Sequence, residues 1–390
     1  MKYEMMDDTL QLFLEGHIDS NNAEQTEKEI NDILAQNSCQ NILIDAENLE
    51  YISSAGLRVL LRLRKKFPKM EIVNVRPEVY EVFDMTGFTE MITIRKGYRR
   101  VSVEGCEVIG QGANGRVYRI DQDTIVKEYF NPNALPEIQR ERELARTAFV
   151  LGIPTAIPYD VVRVGDGYGS VFELLNAKSF AKLLISGEKT VDEIAKMSID
   201  LLKQIHSTVV KPDSMPDMKD VALGWADFMK DYLAPELYQK LRSLVEAVPE
   251  DYHMMHGDYH LKNVMLQNDE VLLIDMDTLS YGHPVFELAS MYNAYCGYSE
   301  LDHQNCMNFL GIPYETACEL WKKSLMLYLN TEDPVRLKEV EEKAQIIGYT
   351  RIVRRTIRRN GLNTEEGRAV IENGKKYLER LLPKTETLVF

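Results

Sequence analysis

The chain has 390 residues, 45% hydrophobic and 27% charged, a globular balance with room for two or three packed units that excludes a disordered or fibrous chain. Its formal charge of −15 argues against a broad grip on nucleic acid, which needs Lys and Arg to displace counterions from phosphates. Apolar runs such as Gln40–Glu47 and Val271–Asp277 are broken by charge well short of the ~20 residues a membrane span requires.

The start, M-K-Y-E-M-M-D-D, lacks the apolar run of a secretory signal. Cys39, Cys106, Cys296, Cys306 and Cys318 form no C-x-x-C pair and read as reduced thiols. A cytoplasmic location is the expectation. From the N-terminus, strand patterns at Thr9–Ile18, Gln40–Asp45 and Met70–Val75 alternate with helix patterns. The first helix covers about Asn22–Gln36, with Ala23, Ile30, Ile33 and Leu34 near one face. A second begins at Ser53–Ser54 and runs through Leu57, Leu60, Leu61 and Leu63. Pro77 opens a third, which Thr86–Gly87 ends. The interleaving predicts a small α/β sheet domain over residues 1–98.

Tyr51–Leu61 (Y-I-S-S-A-G-L-R-V-L-L) and Val82–Phe88 (V-F-D-M-T-G-F) resemble the two signature stretches of STAS domains, the anti-sigma factor antagonist modules. The resemblance implies a regulatory phosphosite at Ser54 and an anti-sigma factor or other regulator as partner. The chain has Ser53 where that family often has Asp. Physically, a phosphoserine at a helix N-terminus is favoured by the free amides and the helix dipole. Ser53 and Ser54 also suit N-capping, at ~1 kcal/mol, and the two roles are compatible. Arg58, Arg62, Lys65, Lys66 and Lys69 follow helical spacing and read as a solvated face.

Periodicity dissolves between Ile94 and Gly105, and a linker is placed at 99–105. Beyond it, Gly110, Gly112 and Gly115 stand as G-x-G-x-x-G, with Val117 close behind. A dinucleotide site would need a helix to open at the third glycine. Here Arg116–Ile120 alternates like a strand, then a D-Q-D turn leads to a strand at Thr124–Tyr129. Strand, glycine loop, strand, turn, strand is the kinase order, in which the loop lets backbone approach phosphates. Lys127, among Ile125, Val126 and Tyr129, occupies the position of the lysine that grips the α- and β-phosphates. Read alone, it would be a snorkelling edge residue.

The most informative stretch is M-M-H-G-D-Y-H-L-K-N-V-M-L, followed by V-L-L-I-D-M-D-T. Asp258 is set to accept or orient the proton of an attacking hydroxyl. Asn263 would bind magnesium through its amide oxygen, and Asp275, ending an apolar strand, would complete the metal site. Asp277 reads either as a further magnesium ligand or as a turn residue. His256 and His260 are four apart, but Gly257 and Asp258 between them argue against a zinc-binding helix. His256 is read as bracing the loop.

H-G-D-Y-H-L-K-N and L-I-D-M-D-T resemble the signatures of aminoglycoside phosphotransferase and choline kinase-like enzymes, over about 106–300. The resemblance implies an α+β bilobal protein kinase-like domain at 106–390, with an N-lobe at 106–175 and a mainly helical C-lobe at 176–390. It also implies ATP and Mg2+ as cofactors. It points to Glu143 of E-R-E as the partner of Lys127, with Glu141 as the alternative, and to a hinge at Phe172–Leu174 whose backbone binds adenine. Glu287 stands where an aspartate is common.

Only Met276–Pro284 separates Asp275 from V-F-E-L-A, too short for the activation segment that docks peptides, which favours a small-molecule hydroxyl acceptor. Glu300, Asp302 and Glu315 are surface or contacts to a cationic acceptor. Arg351, Arg354, Arg355, Arg358 and Arg359 share a helix face, for an anionic ligand or for packing. Two other readings stay open: a protein kinase acting on Ser54 of its own or another STAS domain, and a non-catalytic nucleotide-sensing antagonist.

Overall fold

In the computed structural model, which describes residues 1–112 and 114–390, the chain divides into two compact units. One is Met1–Glu104 with Val161–Gly169, the other Gly105–Asp160 with Ser170–Phe390. The first unit holds a five-stranded sheet in sequence order: β1 Lys2–Met6, β2 Thr9–Ile18, β3 Asn41–Ile52, β4 Glu71–Val75 and β5 Thr93–Lys96. Only β1 is antiparallel to its neighbour; the others run parallel and are linked by helices α1 Ala23–Gln36, α2 Ser54–Lys66, α3 Pro77–Met85 and α4 Phe88–Met91. Leu10, Leu12, Ile42, Ile44 and Leu49 meet Leu57, Leu60, Leu63 and Phe83 in its core.

Three features differ from the sequence expectation. Strand β3 continues past Asp45 to Ile52, because register shifts between Phe13 and Glu15 and between Gly16 and His17 break the two-residue alternation that would reveal it. The edge strand β1 is exposed along its length, so its Tyr3, Met5 and Met6 mark no buried face. The aperiodic linker also contains ordered backbone: Val101 N–H donates to Arg163 O (2.8 Å) and Arg163 N–H to Arg99 O (2.8 Å). Side-chain periodicity does not report pairing made by backbone groups.

The second unit opens with β6 Glu107–Gln111, β7 Gly115–Arg119, β8 Thr124–Tyr129 and α5 Leu135–Val150. With β9 Asp160–Val164 and β10 Gly167–Glu173 the strands form a sheet in the order β6-β7-β8-β10-β9. There follow β11 Lys178–Ser179, α6 Phe180–Ile185, α7 Val191–Ser207, α8 Met218–Phe228, α9 Pro235–Glu246 and β12 Met254–Met255. The hairpin β13 Val264–Gln267 and β14 Glu270–Leu273 precedes β15 Ser280–Tyr281, and the chain ends in helices α10 Val285–Tyr295, α11 Gln304–Leu310, α12 Tyr314–Leu329, α13 Pro334–Arg358 and α14 Glu365–Leu381. Every residue of α10 is buried, and α13 packs along α10, α14 and α8. None of the described helices is long and apolar enough to cross a membrane.

Candidate active site

The glycine hairpin is built by β6 and β7, whose ladder sets Gly110 opposite Val117 and Gln111 opposite Arg116. Ala113 lies outside the described residues. Gly112 N–H donates to Gly115 O (3.0 Å), closing the loop. At Gly115 a Cβ would stand 2.2 Å from Glu128 O, so only glycine lets β7 approach β8 there. One step along, Val117 pairs with Lys127, which puts both side chains on the same face of the sheet.

On that face Lys127 Nζ meets Glu141 at 3.0 and 3.2 Å and Asp275 Oδ1 at 2.9 Å. Burial opposes the ammonium charge, but Asp275 and Glu141 outweigh it and its pKa lies above the ordinary lysine range. Glu141 is 4% exposed and also accepts a hydrogen bond from Tyr129 OH (2.5 Å). The expected partner, Glu143, is corrected here: two residues on from Glu141 along α5, it turns to solvent. The helix period places Glu141 with the buried Ile138, Leu144, Ala145 and Ala148, and Glu143 opposite.

The catalytic-loop residues are held by a hairpin. Asn268 and Asp269, at φ 49° and 65°, make its two-residue turn, the conformation that matches the twist of paired strands. Val264 then lies opposite Leu273, and Ile274 N–H donates to Asn263 O (3.0 Å), so Asn263 and Asp275 emerge side by side. Asn263 Nδ2 donates to Asp258 O (3.0 Å), which commits the NH2 and leaves the amide oxygen, the atom a hard cation takes, without a partner among the described residues. Asp275 adopts the left-handed conformation at φ 64°, at a cost of ~1 kcal/mol.

Asp277 makes no hydrogen bond to a described residue. Burial and the adjacent Asp275 carboxylate push it up to about 7. Asp275 and Asp277, whose carboxylates repel each other, with the amide oxygen of Asn263, have the donor chemistry of a magnesium site, to be completed by phosphate oxygens.

Asp258 is opposed by burial, but His260, with Nε2 3.4 Å from Oδ2, together with Arg351 and His256, holds it down at about 2. The backbone before it is fixed from beneath. Glu287, fully buried on α10, accepts from His256 N–H (2.5 Å) and Gly257 N–H (3.0 Å), and His256 Nε2 lies 3.2 Å from Ile274 O. Gly257 sits at φ 82° with Thr278 O 2.4 Å from where a Cβ would be, so the loop demands glycine. From α13, Arg351 Nη1 donates to Gly257 O (3.3 Å) and Ser290 Oγ (2.9 Å). Sequence reasoning assigned neither Glu287 nor Arg351 to the loop, because both act on its backbone.

Phe172 and Leu174 flank the end of β10 and are half-buried. Leu174 N–H is taken by Asp123 O (2.7 Å), which leaves its carbonyl as the hinge group on offer. Among the acidic residues weighed as acceptor contacts, Glu300 is tied to Tyr349 OH, Asn373 Nδ2 and Tyr377 OH, and Asp302 caps Gln304 N–H. At the first unit's candidate phosphosite, Ser53 Oγ accepts from Ala55 N–H (3.2 Å) and is the α2 cap, while Ser54 is the first helical residue and exposed.

A glycine hairpin facing an ion-paired strand lysine, with an Asp–Asn–Asp set beneath, is the plan of a kinase-like phosphotransferase fold. Residues 105–307 match the family described as "Phosphotransferase enzyme family" and residues 1–101 match the STAS domain. The chain belongs to the phosphotransferase enzyme family and carries an STAS domain ahead of its phosphotransferase domain. Its first part is 33% identical over 95 residues to the candidate anti-sigma factor antagonist BtrV of Bordetella bronchiseptica, covering 23% of this chain and 81% of that protein. It is 25% identical over 85 residues to the anti-sigma F factor antagonist of Paenibacillus polymyxa, covering 21% and 73%. The solved gentamicin complex of APH(2")-IIa aligns over 81% of this chain and 99% of that one, with 14% identity and a TM-score of 0.46.

Proposed function

We propose that residues 106–390 transfer the γ-phosphoryl group of ATP, with Mg2+, to a hydroxyl of a small molecule, and that residues 1–98, joined through 99–105, regulate the enzyme or bind its partner. The observation that carries this reading is the convergence of Lys127, Asp258, Asn263 and Asp275 from separate stretches into one contact chain.

Lys127 would hold the α- and β-phosphates, kept in place by Glu141, while the Gly110–Gly115 hairpin and Val117 cover the nucleotide and Phe172 and Leu174 border the base. Asn263 Oδ1 and the Asp275 carboxylate would hold Mg2+, which supplies charge neutralisation on the phosphates when bound.

Asp258 orients the acceptor hydroxyl. The acceptor oxygen bonds to the γ-phosphorus, the bond to the bridging oxygen breaks, ADP leaves, and the hydroxyl proton passes to Asp258. A carboxylate with a pKa of about 2 is a weak base, which suits a loose transition state in which the proton moves late. On the STAS side, the exposed Ser54 at a helix start is the candidate phosphosite, presented to a regulator such as an anti-sigma factor.

The test is to incubate the full chain with labelled ATP and Mg2+, with and without pooled hydroxylated metabolites, beside an Asp258→Asn control. Label in a small molecule, lost in the control, is expected. Label on Ser54 alone would make the protein a kinase of STAS domains instead. No ATP consumption under any condition overturns the catalytic reading.

A further inference from the structure

The arginines of α13 are the polar feature that the phosphotransferase reading does not absorb. In a chain of net charge −15, none of Arg351, Arg354, Arg355, Arg358 and Arg359 forms an ion pair with a carboxylate among the described residues. Other arginines of the second unit do, as Arg242 does with Asp227 (3.1 Å) and Arg336 with Glu339 (2.9 Å). Packing of this face against the protein's acidic surface is therefore not what the structure contains.

Three of the guanidinium groups lie over aromatic rings: Arg351 over Trp225 at 5.5 Å, Arg354 over Phe228 at 5.7 Å, and Arg355 over Tyr298 at 5.0 Å. Trp225 and Phe228 are three apart on α8, matching Arg351 and Arg354 on α13, so two helices form one stacked wall. Stacking holds a guanidinium plane in place while leaving its N–H edge for a ligand, the geometry in which arginine grips carboxylate or phosphate with paired hydrogen bonds. Arg354 Nε is buried and has no hydrogen-bond partner among the described residues. Burial, then Arg358 and Arg351, lower its pKa, as expected of a cation with cationic neighbours and no counter-charge.

The wall adjoins the catalytic loop. Arg351 bonds the carbonyl of Gly257, directly before Asp258, and Arg354 lies one helical turn on, ~5–6 Å away. Arg351 is also among the charges that hold the Asp258 carboxylate down, so the α13 wall lies beside the group that would take the acceptor's proton. A polycationic acceptor would meet like charge there.

We infer that the acceptor is a hydroxylated small molecule carrying a phosphate or carboxylate group, which Arg354, with Arg355 beside it, binds while the hydroxyl reaches Asp258. This rests on the phosphotransferase reading and specifies its substrate class. The chemistry is the transfer already described, with the anionic group left unchanged.

The experiment supplies the full-length protein with Mg2+, ATP and three sets of acceptors: hydroxylated phosphate monoesters and hydroxy acids, their neutral counterparts, and amino-polyols. ADP release and phosphorus NMR of the product are followed. An anionic acceptor is expected to turn over, and the phosphate and carboxylate arms identify which anion is bound. Arg354→Gln should then raise its KM about ten-fold or more, a loss of one charged contact, with the KM for ATP unchanged and partial recovery in Arg354→Lys. Arg355→Gln, at an exposed position, should raise it by a smaller factor and serves if Arg354→Gln does not fold.

Transfer only to neutral or cationic acceptors, or an anionic acceptor whose KM ignores both substitutions, overturns the inference and leaves the phosphotransferase reading standing. No transfer and no ATP consumption with any acceptor overturns both.

Discussion

Lys127 Nζ stands 3.0 Å from Glu141 Oε1 and 2.9 Å from Asp275 Oδ1, so one ammonium ties helix α5 to the aspartate just past the end of strand β14. Of the two carboxylates, Glu141 is the buried one. Glu141→Gln is expected to lower kcat/KM for ATP by about ten- to hundred-fold, the worth of one charged hydrogen bond. Glu143→Gln should leave it within about two-fold, well below the effect of losing one charged contact. Steady-state kinetics on both variants decides between the glutamates, and equal effects would contradict the assignment.

In the proposed mechanism Asp258 and Asn263 divide the work between proton and metal. Asp258→Asn is expected to reduce turnover by about 10²–10⁴-fold while nucleotide binding, read by calorimetry, is kept. Asn263→Ala should instead raise the Mg2+ concentration needed for half-maximal rate by about ten-fold, since it removes one of few protein ligands. Chelation of divalent ions should stop ATP turnover in the unaltered protein.

Glu287 links the catalytic loop to acid stability. Although burial works to raise its pKa, His206, His256 and the Gly257 amide hold it below the ordinary glutamate range. A carboxylate depressed in the folded state contributes stability that is present above its unfolded pKa and lost as pH falls through its folded one. Glu287→Gln replaces one carboxylate oxygen by an NH2, and because Gly257 N–H bonds both oxygens, a donor faces that amide whichever way the side chain turns. A loss of about 2–4 kcal/mol at neutral pH is expected, with the gap to the unaltered protein narrowing toward pH 3. Urea unfolding at several pH values measures it, and a gap independent of pH would remove Glu287 as the linked group.

In the STAS domain the two serines separate. Ser53→Ala should cost about 1 kcal/mol in urea unfolding, because it deletes the cap on Ala55 N–H. Ser54→Ala should change stability by less than about 0.5 kcal/mol, being exposed at the first helical position. If Ser54 is the regulatory site, Ser54→Ala abolishes phosphate incorporation into residues 1–98 by mass spectrometry, whereas Ser53→Ala does not.

Some of this was legible in residue order alone. The spacing from Asp258 to Asn263 and on to Asp275 is a local property: a loop, a tight two-residue turn and a short hairpin bring these groups together whatever surrounds them. The glycine hairpin and its lysine are equally local, since a β-ladder places Val117 opposite Lys127 by register. Strand β3 extends further than its pattern shows because bulges erase alternation, and β1 is hidden because an exposed edge has no buried face for its Tyr3, Met5 and Met6 to mark.

Other features had no local signature. Whether Glu141 or Glu143 meets Lys127 depends on which face of α5 is buried, and a helix with carboxylates on two faces does not announce it. Glu287 reads as an ordinary charged residue until α10 is seen buried all round beneath two amides it must satisfy. The arginine face of α13 was visible as a spacing, but its meaning was not. The sequence by itself determined the glycine hairpin, the Asp258–Asp275 loop and hairpin, and the STAS signatures, because their geometry is made by neighbours along the chain. Only the tertiary structure decided which glutamate holds Lys127, what braces Gly257, and that Arg351, Arg354 and Arg355 lie over aromatic rings without a direct ion pair to a carboxylate among the described residues, because those are contacts between elements far apart in the chain.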